Sequence, residues 1–314
     1  MNKLLIICGT TATGKTALAL ELAKKYSGDL LSADSRQIYK GVDIGVGKDT
    51  PKGFVPAADK ESGVYYSNGH TNIWGYDLVS PFEEFSVSHY LAYANRKIME
   101  IWDSGKLPIV VGGTGLYING VVNGIETAGI PVNKKLREEL STHSAAKLFN
   151  TLTSISPKAK ALNQSDRGNP RRLIRAIEIA SFTGKLPKPK VLQAKVLWLG
   201  LSVDLDTLQE KIHSRVQWRY ENGFLEEVRE LLKKGVDWNN QIMSSTGYRQ
   251  YREHVEGKVT AQEFLLSWKR AEFQYAKRQT TWFKKNKNIN WFNPLRAADK
   301  KRMEEMVKKW YSSS

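Results

Sequence analysis

The sequence reads as an α/β fold, a P-loop NTPase-like parallel sheet flanked by helices with an all-helical insertion domain, and three observations predict it. A glycine-rich loop at residues 9–16 stands between an apolar run at 3–8 and a periodic run at 17–23. Over the first 120 residues short apolar runs alternate with helical ones, the pattern of parallel strands joined by crossover helices. From about Val132 the pattern turns to helices alone, until an apolar run at 196–201 restores a strand.

The first strand, 3–8, delivers the chain to Gly9, Thr10, Thr11, Ala12, Thr13, Gly14, Lys15 and Thr16, a complete P-loop. Its glycines let successive backbone N–H groups converge on an oxyanion, the following helix adds its positive end, and Lys15 adds a mobile point charge. The Thr16 hydroxyl suits a magnesium ion. A second strand at 29–33 ends in Asp34, Ser35, Arg36 and Gln37. An amphipathic helix at 87–102 precedes a third strand at 106–111, which ends in Gly112, Gly113, Thr114 and Gly115. Ligands of open parallel sheets bind outside the carboxyl ends of the strands, so these two segments and the P-loop are expected to share one crevice.

Helices follow at 133–140, 145–152 and 169–182, then a Gly/Pro/Lys breaker at 183–190. The strand at 196–201 returns to the parent sheet, which places a catalytic core at 1–131 and 191–314 and a helical insertion at 132–190. Two helices at 205–221 and 225–234 are split by Asn222 and Gly223. A long helix at 261–285 interleaves Lys269, Arg270, Lys277 and Arg278 with Trp268, Phe273, Tyr275, Trp282 and Phe283.

A chain of 314 residues is long enough to bury a sizeable core as one main domain with an insertion. The single cysteine, Cys8, lies inside the first strand and reads as a reduced core residue, so the cytosol is the expected compartment. No secretory leader and no bilayer-spanning stretch are expected, and no membrane partner. The five histidines lack metal-ligand spacing. The net charge of +16 is unevenly placed: residues 133–195 carry +10 and 258–312 carry +9, leaving the remainder at −3. Two basic segments beside a near-neutral body point to a polyanionic partner larger than a nucleotide, with RNA or DNA foremost, although basic solvated helix faces account for part of it.

A P-loop protein that splits ATP ordinarily has an acid at the end of a neighbouring strand. Here the third strand ends in glycines, and the best acid is Asp34, which reads either as a turn cap or as a group facing a second substrate. Thr114 could cap a helix or assist Asp34. Arg215 and Arg219, four apart, could clamp a diphosphate or form a solvated face paired with Glu210 or Glu221. Phosphoryl transfer from ATP to a nucleoside explains the loop and Asp34 but leaves both basic segments without a role.

Taken together, the P-loop, Asp34-Ser-Arg-Gln-Ile-Tyr39, Gly112-Gly-Thr-Gly-Leu-Tyr117, Pro170-Arg-Arg-Leu-Ile-Arg175 and Lys277-Arg-Gln-Thr-Thr-Trp282 closely resemble bacterial tRNA dimethylallyltransferases, the IPP transferase family. Gly41-Val-Asp-Ile-Gly45 and Thr246-Gly-Tyr-Arg249 are similar to further signatures of that family, and order and spacing agree from residue 3 to about residue 292. The resemblance implies transfer of a dimethylallyl group from dimethylallyl diphosphate to the exocyclic amine of the tRNA adenosine 3′ to the anticodon, with magnesium as the ion. It implies Asp34 as general base with Thr114 beside it, and the P-loop and Arg215 as the diphosphate site. Matching tRNA contacts fall on Asp34, Ser35, Arg36, Gln37, Thr114, Arg137, Arg171, Arg172, Arg175, Ser244, Gly247, Tyr248, Arg249, Lys277, Arg278, Gln279 and Trp282, and a monomer is expected.

Overall fold

The computed structural model describes residues 1–48, 50–59, 63–186, 188–189 and 191–313. Pro187 and Lys190 of the breaker and the terminal Ser314 therefore lie outside the described residues. The chain divides into two compact units, Met1–Val122 with Leu192–Ser314, and Asn123–Val191.

The larger unit opens with β1 (Lys3–Gly9), α1 (Lys15–Tyr26) and β2 (Gly28–Ser32). Three short strands follow, β3 (Val55–Asp59), β4 (Gly63–Ser67) and β5 (Asn72–Trp74), then α2 (Val87–Asp103), β6 (Leu107–Gly112) and α3 (Gly115–Asn123). After the smaller unit the chain resumes with β7 (Lys195–Leu201) and α8 (Leu205–Arg219). Asn222 and Gly223 leave helical geometry before α9 (Leu225–Lys233). In the smaller unit lie α4 (Lys134–Ser141), α5 (Ala145–Ile155), α6 (Gln164–Arg167) and α7 (Pro170–Ala180); the chain ends with α10 (Tyr248–Val255), α11 (Ala261–Phe283), β8 (Asn290–Phe292) and α12 (Ala297–Ser312).

The eight strands form one sheet in the order β3-β4-β5-β2-β6-β1-β7-β8, antiparallel only at β3-β4 and β4-β5. β1 is central, with Leu5 opposite Ile109 on one side and Leu197 on the other. Strands buried on both faces read as continuous aliphatic runs, and Leu4 to Cys8 are all buried. On one face Leu5, Ile7, Leu30 and Ile109 pack with Leu22 of α1 and Met303 and Val307 of α12. A second core joins Ile212 and Val216 of α8 to Phe224, Tyr248, Phe264 and Trp268. Among the described residues no helix is long and apolar enough to cross a membrane.

The sheet is wider than the sequence pattern indicates, because β3, β4, β5 and β8 are short and carry no long aliphatic run. Their attachment is polar and aromatic. Asp29 of β2 accepts the Asn72 backbone N–H and side-chain amide, each at 2.9 Å, and the Lys106 ammonium at 3.0 Å. Trp74 lies between the Tyr65 ring, 4.3 Å away centroid to centroid, and the buried Lys97 Nζ, 3.7 Å from its own centroid.

Within the smaller unit Leu140, Leu148, Leu152, Leu173 and Ile177 form the core. Beside them the buried carboxylate of Glu178 accepts Asn133 N–H at 2.7 Å, Arg137 Nε at 3.0 Å and Arg137 Nη2 at 2.9 Å, and it pairs with Arg175. Arg175 also donates to the carbonyls of Thr127 and Ile130. Arg137 and Arg175, expected as RNA contacts, share the Glu178 carboxylate and tie α4, α7 and the 127–130 segment together, while both guanidiniums stay partly solvated. Arg171 and Arg172 remain exposed on α7, the latter paired with Asp166.

Burial works against the charged form of Glu178, but the bonds from Arg137, Arg175 and the Asn133 N–H outweigh it, and its pKa lies below the ordinary 4.5. A depressed carboxyl contributes stability that is full above the unfolded value and is lost as pH falls through the folded one. Glu178→Gln should therefore lower the opening free energy of residues 134–180 at pH 7 by about 1–3 kcal/mol, since both guanidiniums are partly solvated. Hydrogen-exchange protection factors on the full chain read this, and protection equal to wild type at pH 7, or a difference that does not shrink below about pH 4, would contradict the assignment.

Candidate active site

The carboxyl ends of β1, β2 and β6 open on a cavity of about 830 Å³. Thr11, Ala12, Gly14, Lys15 and Thr16 line it from the P-loop. No side chain caps the start of α1, so its first N–H groups face the loop's own concavity, the arrangement that receives an oxyanion. Lys15 Nζ donates to the Thr10 carbonyl at 2.6 Å, as does Thr13 Oγ1 at 2.8 Å, so the buried Thr10 and Thr13 shape the loop from beneath.

Asp34 lies half-buried where β2 ends and lines the cavity. Its Oδ1 accepts the Arg36 N–H at 2.9 Å, so the turn-cap reading of this residue holds. The same bond fixes the carboxyl plane, and among the described residues no protein donor reaches Oδ2, which leaves that oxygen for a ligand. Thr114 Oγ1 accepts the Ser35 N–H at 3.0 Å and lies 3.4 Å from the Ser35 hydroxyl. Tyr275, a cavity-lining residue of α11, has its phenol pushed well up, first by burial and then by the Asp34 and Glu272 carboxylates. It stays protonated at neutral pH and is a donor beside Asp34.

The glycines after β6 have a steric cause. A Cβ on Gly113 would collide with the Gln279 amide, and one on Gly115 with the Trp282 indole. α11 therefore lies directly against the end of β6, and Gln279 bridges the two loops: its Oε1 accepts Thr11 N–H at 2.9 Å and its Nε2 donates to the Gly113 carbonyl at 3.0 Å. Gln279, expected as an RNA contact, is buried with both ends of its amide engaged and lines the same cavity. Trp268 and Phe283 are likewise core, as are Gly247, against which the Trp268 ring packs, and the fully buried Tyr248. Exposed on the same stretches are Arg249, Lys277 and Arg278, with Trp282 at 44% exposure.

Basic side chains enter from α8. Lys211, Arg215 and Arg219, four residues apart, share one helix face and line the cavity. Arg215 donates to Thr11 Oγ1 at 2.9 Å and to the Gly47 carbonyl at 3.2 Å. Arg219 is 3% exposed and pairs with Glu272 at 3.3 Å, not with Glu210 or Glu221 as the helix spacing alone allowed. Glu272 also accepts Thr246 Oγ1 at 2.9 Å and the Trp268 indole N–H at 3.3 Å. The two arginines thus divide the work: Arg215 reaches the P-loop, whereas Arg219 is held in a buried ion pair.

Lys211, Glu272 and Tyr275 escaped the sequence reading as site residues. Lys211 continues the Arg215–Arg219 spacing by one step. Glu272, Tyr275 and Gln279 lie three and four residues apart on one face of α11, a stripe that marks them only once Gln279 is known to face the loop. Around this cavity are grouped an anion cradle, mobile and fixed cations, an oriented carboxylate and a protonated phenol, which suits displacement of a phosphate-type leaving group by a nucleophile held near Asp34.

Residues 37–286 match the family model described as IPP transferase, and residues 2–57 match one described as isopentenyl transferase. A tRNA dimethylallyltransferase of Acetivibrio thermocellus is 36% identical, covering 93% of this chain and 92% of that protein. Its counterpart in Halalkalibacterium halodurans is 35% identical over 96% of this chain and 95% of its own length. Among solved structures, the full-length tRNA isopentenylpyrophosphate transferase of Bacillus halodurans has a TM-score of 0.71 at 33% identity, covering 99% of this chain and 97% of that one. A eukaryotic dimethylallyltransferase acting on tRNA shares the fold, with a TM-score of 0.79 at 24% identity over 98% of this chain and 78% of its own.

The division between the arginines can be measured. Arg215→Ala should weaken binding of inorganic diphosphate roughly 10–100-fold by calorimetry on the full chain, the worth of a charge-assisted hydrogen bond. Arg219→Ala should instead cost about 3 kcal/mol of stability by leaving Glu272 buried and unpaired. Wild-type diphosphate affinity in Arg215→Ala would remove that residue from the anion site.

Proposed function

The chain belongs to the IPP transferase family, and from that premise we propose that it transfers the dimethylallyl group of dimethylallyl diphosphate to tRNA. The acceptor is the exocyclic N6 amine of the adenosine 3′-adjacent to the anticodon, and the products are N6-isopentenyladenosine and diphosphate. The observation that carries this reading is the placement of Asp34, with one oxygen open to a ligand, in the same cavity as the P-loop cradle and Arg215.

An adenine amine is a weak nucleophile because its lone pair is delocalised into the ring. As N6 attacks the allylic C1, the C1–O bond breaks and the electron pair leaves with the diphosphate. The N6 proton passes to the cavity-lining Asp34, whose Oδ1 is already occupied by the Arg36 N–H and whose Oδ2 no described residue engages. Negative charge growing on the leaving diphosphate meets the N-terminal N–H groups of α1, Lys15 and Arg215. Thr114 and Tyr275 border Asp34 and orient the adenine edge. A stacked anticodon-loop base cannot reach such a carboxylate, so the adenosine is flipped into the cavity.

Magnesium fits the donor set. The Thr16 hydroxyl, which lines the cradle, would hold the ion beside the diphosphate, where it would neutralise leaving-group charge. The cationic rim for RNA is Arg36, Arg249, Lys277 and Arg278, with Arg171 and Arg172 on the helical unit. The buried thiol of Cys8 and a tRNA substrate go with a reducing, cytosolic compartment.

The test is to incubate the protein with dimethylallyl diphosphate, magnesium and an anticodon stem-loop and to seek a five-carbon adduct on adenosine by mass spectrometry. Asp34→Ala should keep RNA binding and lose roughly 10²–10⁴-fold in turnover. Transfer to free AMP without transfer to RNA, or phosphate transfer from ATP alone, would overturn the proposal.

A further inference from the structure

The loop at 43–48 is not used in the chemistry above, yet it touches both arginines of the clamp. Its backbone N–H groups at Asp43, Ile44 and Gly45 point one way and enclose the Glu227 carboxylate: Asp43 N–H and Ile44 N–H donate to Oε2 at 2.6 and 2.7 Å, and Gly45 N–H donates to Oε1 at 2.9 Å. Three successive N–H groups form an anion-binding nest, and here the anion is a side chain of α9. Tyr248 supplies the fourth bond, its buried hydroxyl donating to Oε1 at 2.6 Å.

From the nest the loop runs straight to the clamp. The Gly45 carbonyl accepts Arg219 Nη1 at 3.5 Å, and the Gly47 carbonyl accepts Arg215 Nη2 at 3.2 Å and Gln37 Nε2 at 2.9 Å. Gly47 has φ +59°, and a Cβ there would collide with both guanidiniums. The far end of the loop is anchored by Lys48, whose buried ammonium pairs with Asp43 and Asp77, each at 2.6 Å, and donates to the Tyr39 carbonyl.

We infer that Glu227 is a positioning residue of the diphosphate site: by filling the 43–45 nest it fixes the carbonyls of Gly45 and Gly47, of which the second aims Arg215 at the P-loop and the first steadies Arg219 in its pair with Glu272. This rests on the diphosphate reading of the cradle. Glu227 makes its hydrogen bonds to the loop backbone and to Tyr248, which packs against Gly45, and to neither arginine. Each carboxylate oxygen accepts two bonds, so a carboxamide in its place would set its NH2 against the Asp43 and Ile44 N–H groups in one orientation and against the Gly45 N–H in the other.

Glu227→Gln in the full chain should raise the dissociation constant for inorganic diphosphate and the KM for dimethylallyl diphosphate roughly 10–100-fold, the effect of misplacing a charge by about 1 Å. The affinity for an anticodon stem-loop should stay within about twofold of wild type, and kcat should change far less than KM. Glu227→Asp should recover part of the loss. In an Arg215→Ala background, Glu227→Gln should add less than about threefold, because the group it aims is gone. Gly47→Ala displaces the same guanidiniums from the other end of the loop, and it decides the matter should Glu227→Gln fail to fold. Diphosphate affinity unchanged in both variants, effects of Glu227→Gln and Arg215→Ala that multiply, or a fall in kcat with melting temperature at constant KM would each overturn the inference. A wild-type protein that binds diphosphate but does not alkylate RNA would sink the functional reading and leave this positioning result standing.

Discussion

The carboxamide of Gln279 is the joint on which the site depends. Its oxygen holds the P-loop at Thr11 and its nitrogen holds the end of β6 at Gly113, so one buried side chain sets the distance between two strand ends. A buried amide with both ends satisfied is rigid because neither partner can move without leaving a polar group unpaired in the interior. α11 is thereby fixed, and with it Tyr275 beside Asp34 and Glu272 beneath Arg219. Gly113 and Gly115 follow from the same contact, since any side chain there would push the helix away. The strand end that in P-loop proteins splitting ATP ordinarily carries an acid here carries glycines, and Gln279 and Trp282 of α11 fill the space a side chain would need.

The parts of the site legible in the sequence are those written in local chemistry. The P-loop is a contiguous run whose flanking strand and helix are visible in the same twenty residues. Asp34 follows directly on an apolar strand, and its position in the crevice needs only the rule that parallel strands present their carboxyl ends to ligands. Arg215 and Arg219 share a helix face by spacing alone. What spacing could not tell is that their partners differ, because Glu272 lies on α11, 53 residues from Arg219 in sequence. Glu227 reads as an ordinary exposed helix residue, since carboxylates are seldom buried unless paired, and its partners are backbone N–H groups with no sequence signature.

The aromatic side chains of α11 show the same limit. Trp268 and Trp282 are the same residue type on one helix, yet Trp268 is fully buried in the core and Trp282 is 44% exposed. Helical periodicity places both on the face that also carries Gln279, and only the depth of the neighbouring elements separates them. β3 to β5 and β8 were illegible for a different reason. They are held by Asp29, by the Lys97–Trp74–Tyr65 stack and by pairing with longer strands, so their own residues need no aliphatic pattern. The +10 of the helical segment is already net of Glu178 and Asp166, so their pairing with Arg137, Arg175 and Arg172 sets where the excess charge sits without reducing it.

Two buried carboxylates therefore do opposite work on the chain's basic charge. Glu178 ties two partly solvated arginines together to hold helices in place, whereas Glu272 holds the buried Arg219 while Arg215, one turn earlier on α8, reaches the P-loop. A buried ion pair contributes little net stability against a well-packed apolar alternative, so its retention next to a charged cradle is better understood through orientation than through energy. The loop at 43–48 supports that view. It meets the two guanidiniums with backbone carbonyls, which cannot titrate and cannot rotate away, and it is itself pinned by Glu227 at one end and Lys48 at the other. Charge that must be stabilised only as a bond breaks is best met by groups already in place, since any reorganisation at that moment would add to the barrier.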